Sequence, residues 1–547
     1  MAYKPGIGQE PIYRLIEKAV NGQIDLPEIQ RDFVWTKHQV QELLDSIIKR
    51  YPLGSILVWD IGNYTQGKYV NERIPKEWNV DGQQRITAFC LLARRKPYWF
   101  EIDKWRGLIE KYKVKVNILT LEVALESATI KNDPKWMYPH EIFNAKDLAS
   151  LAEDCSKKLN DPKLFAKIYD NLKKIQDSLN IELPIIKIST SLEDVATIFE
   201  RINSAGTRVK QADITLAYVA AYNQSWVREK LMKYLNDLED EGFGFDPTLL
   251  IRALAVVGEG KAVLREVSDD FLKNKNNILD KAFEELKNSL YTIINEFRAI
   301  GILTSDIIFA KNTIIPLIYL KHMFKNTFDF KKALYFFLLA LWMGRYSGSA
   351  ETTLQEDINK IKKSTNFDDA IEDLVSELKI GPITVEQIRN VLHYQGEGRF
   401  FKLLLYLVVF KNGARDWFTG VRIGFTKQNE VNKGFNIEEH HIFPKSLLRS
   451  IGKLEEADLL PNIAFINPGT NKRLRDQPLI YIQKYGISRD ELAKQLIPFE
   501  DEELLKLQNY EQFLNKRAEL ITQELNNYLK DLYPKYKYAV WQLSSAS

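Results

Sequence analysis

Residues 437–446, IEEHHIFPKS, decide the fold of the C-terminal part of the chain. The segment changes from polar to β-like residues and is then broken by a proline, a pattern typical of a short strand that ends in a turn. It contains two adjacent histidines, His440 and His441, in a chain with six. A His-His pair alone is more often bonded to local backbone than used in chemistry, so its interpretation depends on the residues downstream of it.

Two further segments come next in an informative order. Residues 460–466, LPNIAFI, read as a turn and a short apolar strand, and residues 467–473, NPGTNKR, begin with a turn. We expect Thr470 to cap a helix that carries Asn471 in its first turn. The order strand, turn, strand and helix would bring His440, His441 and Asn471 together.

These residue types share one chemical use. Hydrolysis of a phosphodiester needs a base, and an imidazole with a pKa near ~6.5 suits that role at neutral pH. It also needs a cation on the phosphate, held by ligands such as a histidine nitrogen and an asparagine oxygen.

The C-terminal segment resembles the ββα-metal HNH nucleases (His-Me finger) in their His-His-Ile-Phe-Pro-Lys-Ser variant. The resemblance implies that His440 and Asn471 are metal ligands, His441 is the general base, and Asn462 braces the loop that holds the base. Histidine at 440, where the family often has aspartate, shifts the preference from Mg²⁺ towards Mn²⁺, Ni²⁺ or Zn²⁺. Nearby cations are predicted DNA contacts, although each is equally a solvated surface charge: Lys445, Lys472, Arg473 and Arg475.

The second informative segment is residues 80–89, VDGQQRITAF, in which a polar turn joins a β-like stretch to an apolar helix. Backbone N–H groups, a helix dipole and a guanidinium at such a turn suit a phosphate group. Asp81 could hold a metal or water. The candidate nucleotide-binding residues here are Asp81, Gly82, Gln83, Gln84 and Arg85.

Two other segments repeat this theme. Residues 26–35, LPEIQRDFVW, supply Gln30, Arg31 and Trp35, and residues 199–207, FERINSAGT, supply Arg201 and Asn203. Each alone has an ordinary structural explanation, such as a surface ion pair for Arg31 or a core position for Trp35.

Together and in this order, the three N-terminal segments resemble the GmrSD family of modification-dependent (type IV) restriction enzymes. Asp-Gly-Gln-Gln-Arg is that family's signature, carried by a ParB and sulfiredoxin-like domain, and the HNH nuclease is its other half. The resemblance implies binding and hydrolysis of a nucleoside triphosphate, coupled to cleavage of modified foreign DNA such as phage DNA. The chain has no Walker A sequence, so a P-loop mechanism does not apply.

Periodicity and composition predict an α+β multidomain protein with three domains. We expect an α/β domain over residues 1–212, a helical connector over 213–396 and a mixed C-terminal domain over 397–547, with a joint at Gly396-Glu397-Gly398. The two resemblances imply that the first domain is ParB/sulfiredoxin-like and that the last is a ββα-metal HNH domain. The predicted strands are 54–59 and 183–188, and the predicted helices include 39–49, 277–302 and 313–324. The apolar runs 333–343 and 403–410 are too short to cross a bilayer and are expected to be buried helices.

Composition limits the remaining classes. The 547 residues exceed what one core serves, and a net charge of +3 does not by itself identify a partner. Two distant cysteines, Cys90 and Cys155, support neither a disulfide framework nor a thiolate zinc site. The N-terminus has no secretory signal, so we expect a cytoplasmic protein without a membrane partner. Homodimer formation remains open.

Three functions fit these patterns. The first is a nucleotide-dependent or nucleotide-regulated DNA endonuclease of anti-phage defence that uses Mg²⁺ or Mn²⁺. The second is a DNA-binding module with nickase or degenerate nuclease activity, which predicts a missing base or ligand. The third keeps the nuclease and makes the N-terminal domain a reader of DNA modification, such as a phosphorothioate or a glucosylated base.

Overall fold

A computed structural model describes residues 6–26, 33–60, 77–189, 211–223, 226–347, 351–378, 380–424 and 438–533. The chain divides into two compact units, Met1–Lys230 and Leu231–Ser547. The first is a mixed α/β unit and the second is largely helical, as the sequence predicts.

The first unit is built on two sheets. Its described strands are β1 (Gly6–Pro11), β2 (Ile24–Asp25), β3 (Ile56–Asp60), β4 (Glu77–Asp81), β5 (Val114–Asn117), β6 (Val123–Leu125), β7 (Trp136–Met137) and β8 (Glu182–Ile188). The larger sheet has the order β1-β8-β3-β4-β2, and the smaller has the order β6-β5-β7. β3 runs parallel to β8 and antiparallel to β4. The strands predicted at 54–59 and 183–188 are thus confirmed as the two central neighbours β3 and β8.

The helices of the first unit cover the sheets. They are Ile12–Val20, Lys37–Ile48, Gln83–Ala93, Ile102–Lys111, Pro139–Phe143, Leu148–Lys158, Phe165–Asp177 and Gln211–Tyr222. Lys37–Ile48 confirms the predicted helix; it begins at Thr36, whose hydroxyl accepts a hydrogen bond from the Gln39 amide at 3.2 Å. In Gln83–Ala93 every residue from Ile86 to Ala93 is buried, because the helix is apolar on all sides and lies in the centre of the core.

The second unit is a stack of helices. After a π-helical turn at Val227–Met232, they are Lys233–Asp240, Pro247–Glu259, Asp269–Leu272, Ile278–Ala299, Ile314–Phe324, Phe330–Trp342, Glu351–Lys363, Phe367–Ser376, Val385–Asn390, Glu397–Lys411, Lys445–Ser450, Pro468–Asn471, Pro478–Tyr485, Arg489–Lys494 and Tyr510–Leu532. Short 3-10 turns link several of them, including Leu454–Asp458 and Leu460–Asn462. The helices predicted at 277–302 and 313–324 are confirmed.

The two apolar runs lie inside this unit. Phe330–Trp342 and Glu397–Lys411 each bury most of their residues against other helices, as expected. Across the part of the chain that the structure describes, no helix combines the length and apolar character needed to cross a membrane.

The last helix of the unit, Tyr510–Leu532, carries a fully buried arginine, Arg517. Its guanidinium donates hydrogen bonds to the carbonyl oxygens of Pro461 at 2.7 Å, Gln495 at 3.0 Å and Leu496 at 3.2 Å. A buried charge is tolerated when hydrogen bonds replace its hydration. Arg517 therefore fixes the turn at Pro461, directly before a strand of the candidate site.

The segment before the predicted joint at 396–398 pairs with residues far beyond it. The His393 amide donates to the Asp458 carbonyl at 3.1 Å, and the Leu460 amide donates to the Val391 carbonyl at 3.0 Å. The side chain of Asn526 bonds both the amide and the carbonyl of Ile383. Residues on both sides of position 397 thus share one packed region, and the division into three domains remains a prediction.

Candidate functional site

A two-stranded hairpin forms the centre of the C-terminal site. β9 (Glu438–His441) pairs antiparallel with β10 (Ile463–Ile466), and His440 lies opposite Ala464 while His441 lies opposite Ile463. A short helix, Pro468–Asn471, follows β10 directly. The two strands and the helix after them occur in the predicted order, but the connection between the strands also contains the helix Lys445–Ser450, which the sequence pattern did not predict, and two 3-10 turns.

His440 lies inside the protein, at 1% exposure. Its Nδ1 donates to Oδ1 of Asn471 at 2.9 Å, and its Nε2 lies 3.5 Å from the Tyr481 hydroxyl, which donates to the Ile442 carbonyl at 3.0 Å. Burial lowers the pKa of His440 to about 4. The ring is therefore neutral at physiological pH, the form in which imidazole binds metals.

Asn471 is positioned by two carboxylates. Its amide nitrogen donates to Glu438 Oε2 at 2.7 Å, which turns its oxygen towards His440. The turn before it is held by the buried Asp416, which accepts hydrogen bonds from the Asn467 amide at 2.9 Å and the Thr470 hydroxyl at 2.8 Å. The expectation that Thr470 caps this helix is wrong: Asn467 is the N-cap residue, and Thr470 lies inside the helix because Pro468 starts it.

His441 is the more accessible of the pair. Its Nε2 donates to Oδ1 of Asp458 at 2.8 Å, and Lys445 donates to the other oxygen of the same carboxylate at 2.8 Å. Burial of Asp458 raises its pKa, but the hydrogen bonds from Lys445 and His441 outweigh this and bring it down to about 2. Burial also lowers the pKa of His441, although the Asp458 hydrogen bond acts in the opposite direction. A neutral His441 that donates through Nε2 keeps its lone pair on Nδ1.

Asn462 holds the turn after β9. This fully buried side chain accepts from the Phe443 amide at 2.9 Å and donates to the carbonyl oxygens of Phe443 at 3.1 Å and Ala457 at 2.9 Å. The backbone carbonyl of Asn462 accepts a hydrogen bond from the Ile442 amide at 2.8 Å. These contacts fix the chain on both sides of the site.

The donor set of His440 and Asn471 fits a divalent cation. Two ligands that bind one ion at about 2.1 Å and at a right angle lie about 3 Å apart, and the two ligand atoms here are 2.9 Å apart. An ion at Nδ1 of His440 would displace the ring proton to Nε2, which faces the Tyr481 oxygen. A hydrogen bond to the second ring nitrogen is how proteins orient a ligating histidine.

The predicted DNA contacts lie at the surface around this site. Lys445 and Arg475 line an open groove of about 420 Å³ together with His440, His441 and Asn471. Lys472 and Arg473 are also exposed, and the Arg473 guanidinium lies 5.5 Å from the centre of the Phe418 ring. The groove is thus lined both by the candidate catalytic residues and by two positively charged side chains.

Three residues of this region were missed by sequence reasoning. Asp458 partners His441, His393 approaches the same carboxylate, and Asp416 anchors the Asn467 turn. Asp458 and His393 lie 17 and 48 positions from His441, and no motif connects them. The scarcity of histidine was the one signal that could have singled out His393.

The N-terminal turn places its residues differently. Asp81 ends β4, and Gly82, at φ +98°, precedes the helix Gln83–Ala93. A Cβ on Gly82 would lie 2.3 Å from Cδ1 of Ile56, so no other residue fits without a shift. Gln83 is buried and Asp81 is about one-third exposed.

Arg85 is engaged by the protein itself. Its guanidinium donates to the carbonyl oxygens of Leu53 at 2.5 Å and Ser55 at 2.7 Å, and lies 3.5 Å from Asp81. Burial lowers its pKa. In this structure Arg85 holds the turn to the neighbouring loop at Gly54.

The other N-terminal candidates are only partly described. Gln84 accepts a hydrogen bond from the Val34 amide at 2.9 Å, which brings the residue before Trp35 to the turn. Trp35 is half-buried against the core of the first unit. Gln30, Arg31, Arg201 and Asn203 lie outside the described residues.

Comparison with known proteins finds a family model that matches most of the first unit. Residues 12–220 match the family model described as the GmrSD restriction endonuclease, N-terminal domain. This match supports the GmrSD family, and the matched range contains the Asp81–Arg85 turn. An uncharacterized protein of Methanocaldococcus jannaschii is 24% identical over 600 aligned positions, which cover 93% of this chain and 97% of the relative. The similarity to this relative therefore extends through both units.

Proposed function

We propose that this chain is a metal-dependent DNA endonuclease of restriction type, with an HNH site in its second unit. The observation that carries the proposal is the convergence of His440 and Asn471 at 2.9 Å beside a histidine held by a carboxylate. The GmrSD match supports restriction, and its description names an endonuclease.

The base in this proposal is His441. Because Nε2 donates to Asp458, Nδ1 can accept a proton from the water that attacks the phosphorus. Asp458 then stabilises the imidazolium that forms, as a carboxylate partner does in other base-assisted hydrolyses. Asn462 and Arg517 keep the hairpin rigid, so that the base does not move relative to the phosphate.

A divalent cation would be held by His440 and Asn471, with Mg²⁺ or Mn²⁺ as the expected ion. When bound, it supplies positive charge to the scissile phosphate and the leaving oxygen. Lys445 and Arg475 would contact neighbouring phosphates, which gives affinity without sequence preference.

For the first unit we propose nucleoside triphosphate binding at the Asp81–Arg85 turn, with regulation or hydrolysis as its purpose. The positive end of the eleven-residue helix Gln83–Ala93 favours phosphate. Arg85, whose guanidinium donates to the carbonyl oxygens of Leu53 and Ser55, would also shape the turn that binds the phosphate. Foreign modified DNA is the proposed substrate and the cytoplasm the proposed location, while self-association remains open.

The alternative of a DNA-binding module with a degenerate nuclease predicts a missing base or ligand. His441, Asn462 and Asn471 are all in place, which favours the active enzyme. In a further version, the first unit reads a phosphorothioate or a glucosylated base. Comparing nucleotide turnover with and without modified DNA would separate this version from nucleotide-dependent cleavage.

The test is cleavage of plain and phage-modified DNA in Mg²⁺ or Mn²⁺, with and without each nucleoside triphosphate. We expect no cutting by His441→Ala, and an altered nucleotide response in Asp81→Ala. His322→Ala is the matched control, since His322 lies in the helix Ile314–Phe324 and pairs with Glu285. Cutting by His441→Ala at the wild-type rate would disprove the HNH assignment, and no cutting under any condition would favour the binding module.

A further inference from the structure

A second metal site adjoins the base. We propose that His393, His441 and Asp458 bind a transition-metal ion, with Zn²⁺ as the best fit, and that this ion inhibits cleavage. Among the residues that the structure describes, these three form a group whose ligand atoms all lie within 4.8 Å of one another. The group shares His441 and Asp458 with the proposed catalytic machinery and does not include the His440–Asn471 pair.

The three ligand atoms already converge. Oδ1 of Asp458 lies 2.8 Å from Nε2 of His441 and 3.4 Å from Nε2 of His393. Ligands around a tetrahedral Zn²⁺ at about 2.0 to 2.1 Å are about 3.3 Å from one another. Shifts of a few tenths of an ångström at Asp458, and a closer approach of the two rings, would complete three of four positions.

Glu439 and Lys445 contact the atoms of the group that face away from the proposed ion. His393 is almost fully buried, and its Nδ1 lies 2.9 Å from Oε2 of Glu439, which also pairs with Lys402. A carboxylate on one ring nitrogen leaves the other for a metal, the usual arrangement of zinc-ligating histidines. Lys445 holds Oδ2 of Asp458, so the oxygen facing the two rings is the one left for a cation.

The chemistry of the donors decides which ion fits. Two imidazoles and one carboxylate suit Zn²⁺, whereas Mg²⁺ prefers oxygen ligands and its own waters. An ion at Nε2 of His441 would displace the ring proton to Nδ1, so the imidazole would stay neutral when it binds.

The inhibitory effect rests on the function proposed above. With Nε2 of His441 bound to the ion, the remaining ring proton sits on Nδ1, and the imidazole can no longer accept a proton from water. The ion bound by His393 would thus switch off the base while the His440–Asn471 pair stays available.

The binding test is equilibrium dialysis of the full chain against Zn²⁺. We expect His393→Asn to retain one Zn²⁺ fewer than wild type, or to bind it more than about 10-fold more weakly. Asn471→Ala keeps the ion that depends on His393, whether or not the nuclease assignment holds, and His322→Asn is the matched control. Equal Zn²⁺ binding by wild type and a folded His393→Asn would overturn the site.

A second measurement needs no variant. Co²⁺ added to wild type should produce the intense visible absorption of a four-coordinate ion with nitrogen and oxygen ligands, and its absence would also overturn the site. In cleavage assays with Mn²⁺, added Zn²⁺ should slow wild type at least about 10-fold and His393→Asn less than about 2-fold, each relative to its own rate. Equal slowing of both proteins would overturn the inhibitory role.

Discussion

The two candidate sites both have a tight turn before a helix, but they differ in which residues hold the backbone of that turn. At the C-terminal site, Asn462 and Arg517 hold the backbone, which leaves His441 to act through Nδ1. At the N-terminal turn, Arg85 itself holds the backbone at Leu53 and Ser55. An arginine that suggests phosphate binding in a sequence can thus be needed for the shape of the turn that would bind the phosphate.

The largest expected effect is on the base partner. In Asp458→Asn, a neutral amide replaces the carboxylate whose negative charge stabilises the His441 imidazolium, so we expect DNA cleavage to fall about 10³-fold. Single-turnover cleavage rates in Mn²⁺ measure this. The control is Asp490→Asn, an exposed partner of Lys494. Cleavage by Asp458→Asn at the wild-type rate would show that His441 does not act as a base supported by Asp458. The contrast with the structural role of Arg85 would then no longer hold.

The next effect is on stability at the C-terminal turn. Asn462→Ala removes three buried side-chain hydrogen bonds and leaves backbone groups unpaired, at a cost of about 3 kcal/mol in the free energy of unfolding. Denaturant titration of the second unit's transition measures this. Asn412→Ala loses one bond to Lys494 at 3.3 Å and should cost less than about 1 kcal/mol. Equal losses of unfolding free energy in the two variants would show that Asn462 does not stabilise the turn more than an ordinary side-chain hydrogen bond does.

A smaller effect is expected at the N-terminal turn. Gly82→Ala forces an alanine to φ +98° and places its Cβ against Ile56, at a cost of about 2 kcal/mol in the first unit. Gly107→Ala is the control: it lies in the helix Ile102–Lys111 with open space around its Cβ and should be neutral or slightly stabilising. The same unfolding titration compares the two, and a Gly82→Ala protein as stable as wild type would mean the turn adapts.

The smallest effect concerns DNA affinity. Arg475→Ala removes one cation from the groove edge, so we expect the slope of log affinity against log salt to fall by about 1. Fluorescence anisotropy with a short duplex at several salt concentrations measures the slope. Lys516→Ala, an exposed partner of Glu519, should leave it unchanged. An unchanged slope in Arg475→Ala would place the DNA elsewhere.

Local pattern was sufficient for much of this fold. Branched apolar runs predicted β3 and β8: β3 buries its apolar residues on both faces, and β8 buries Leu183, Ile185 and Ile188. Helical spacing of Val40, Leu43 and Leu44 predicted Lys37–Ile48, which buries those residues. The short strand β2, only Ile24–Asp25, has no such signal, since two residues cannot show a period.

At the candidate site, the sequence predicted four residues that the structure brings together and missed residues that contact them. His440, His441, Asn462 and Asn471 lie together, as the spacing of the motif implies. Asp458 and His393 reach the base through tertiary contacts, which leave no local pattern. The wrong cap at Thr470 has a local cause, because Pro468 starts the helix; the Thr470 hydroxyl instead donates to the distant carboxylate of Asp416.

The hydrogen bonds between residues 391–393 and 458–460 limit how this protein can be divided. A fragment that starts at residue 397 would lack His393, the Val391 carbonyl that receives the Leu460 amide, and the Ile383 backbone held by Asn526. The C-terminal site is therefore not a transferable cassette of 397–547. An excised or transplanted version would have to start upstream of Ile383, and a protease cut near 396 would loosen the support of His441 without touching the motif.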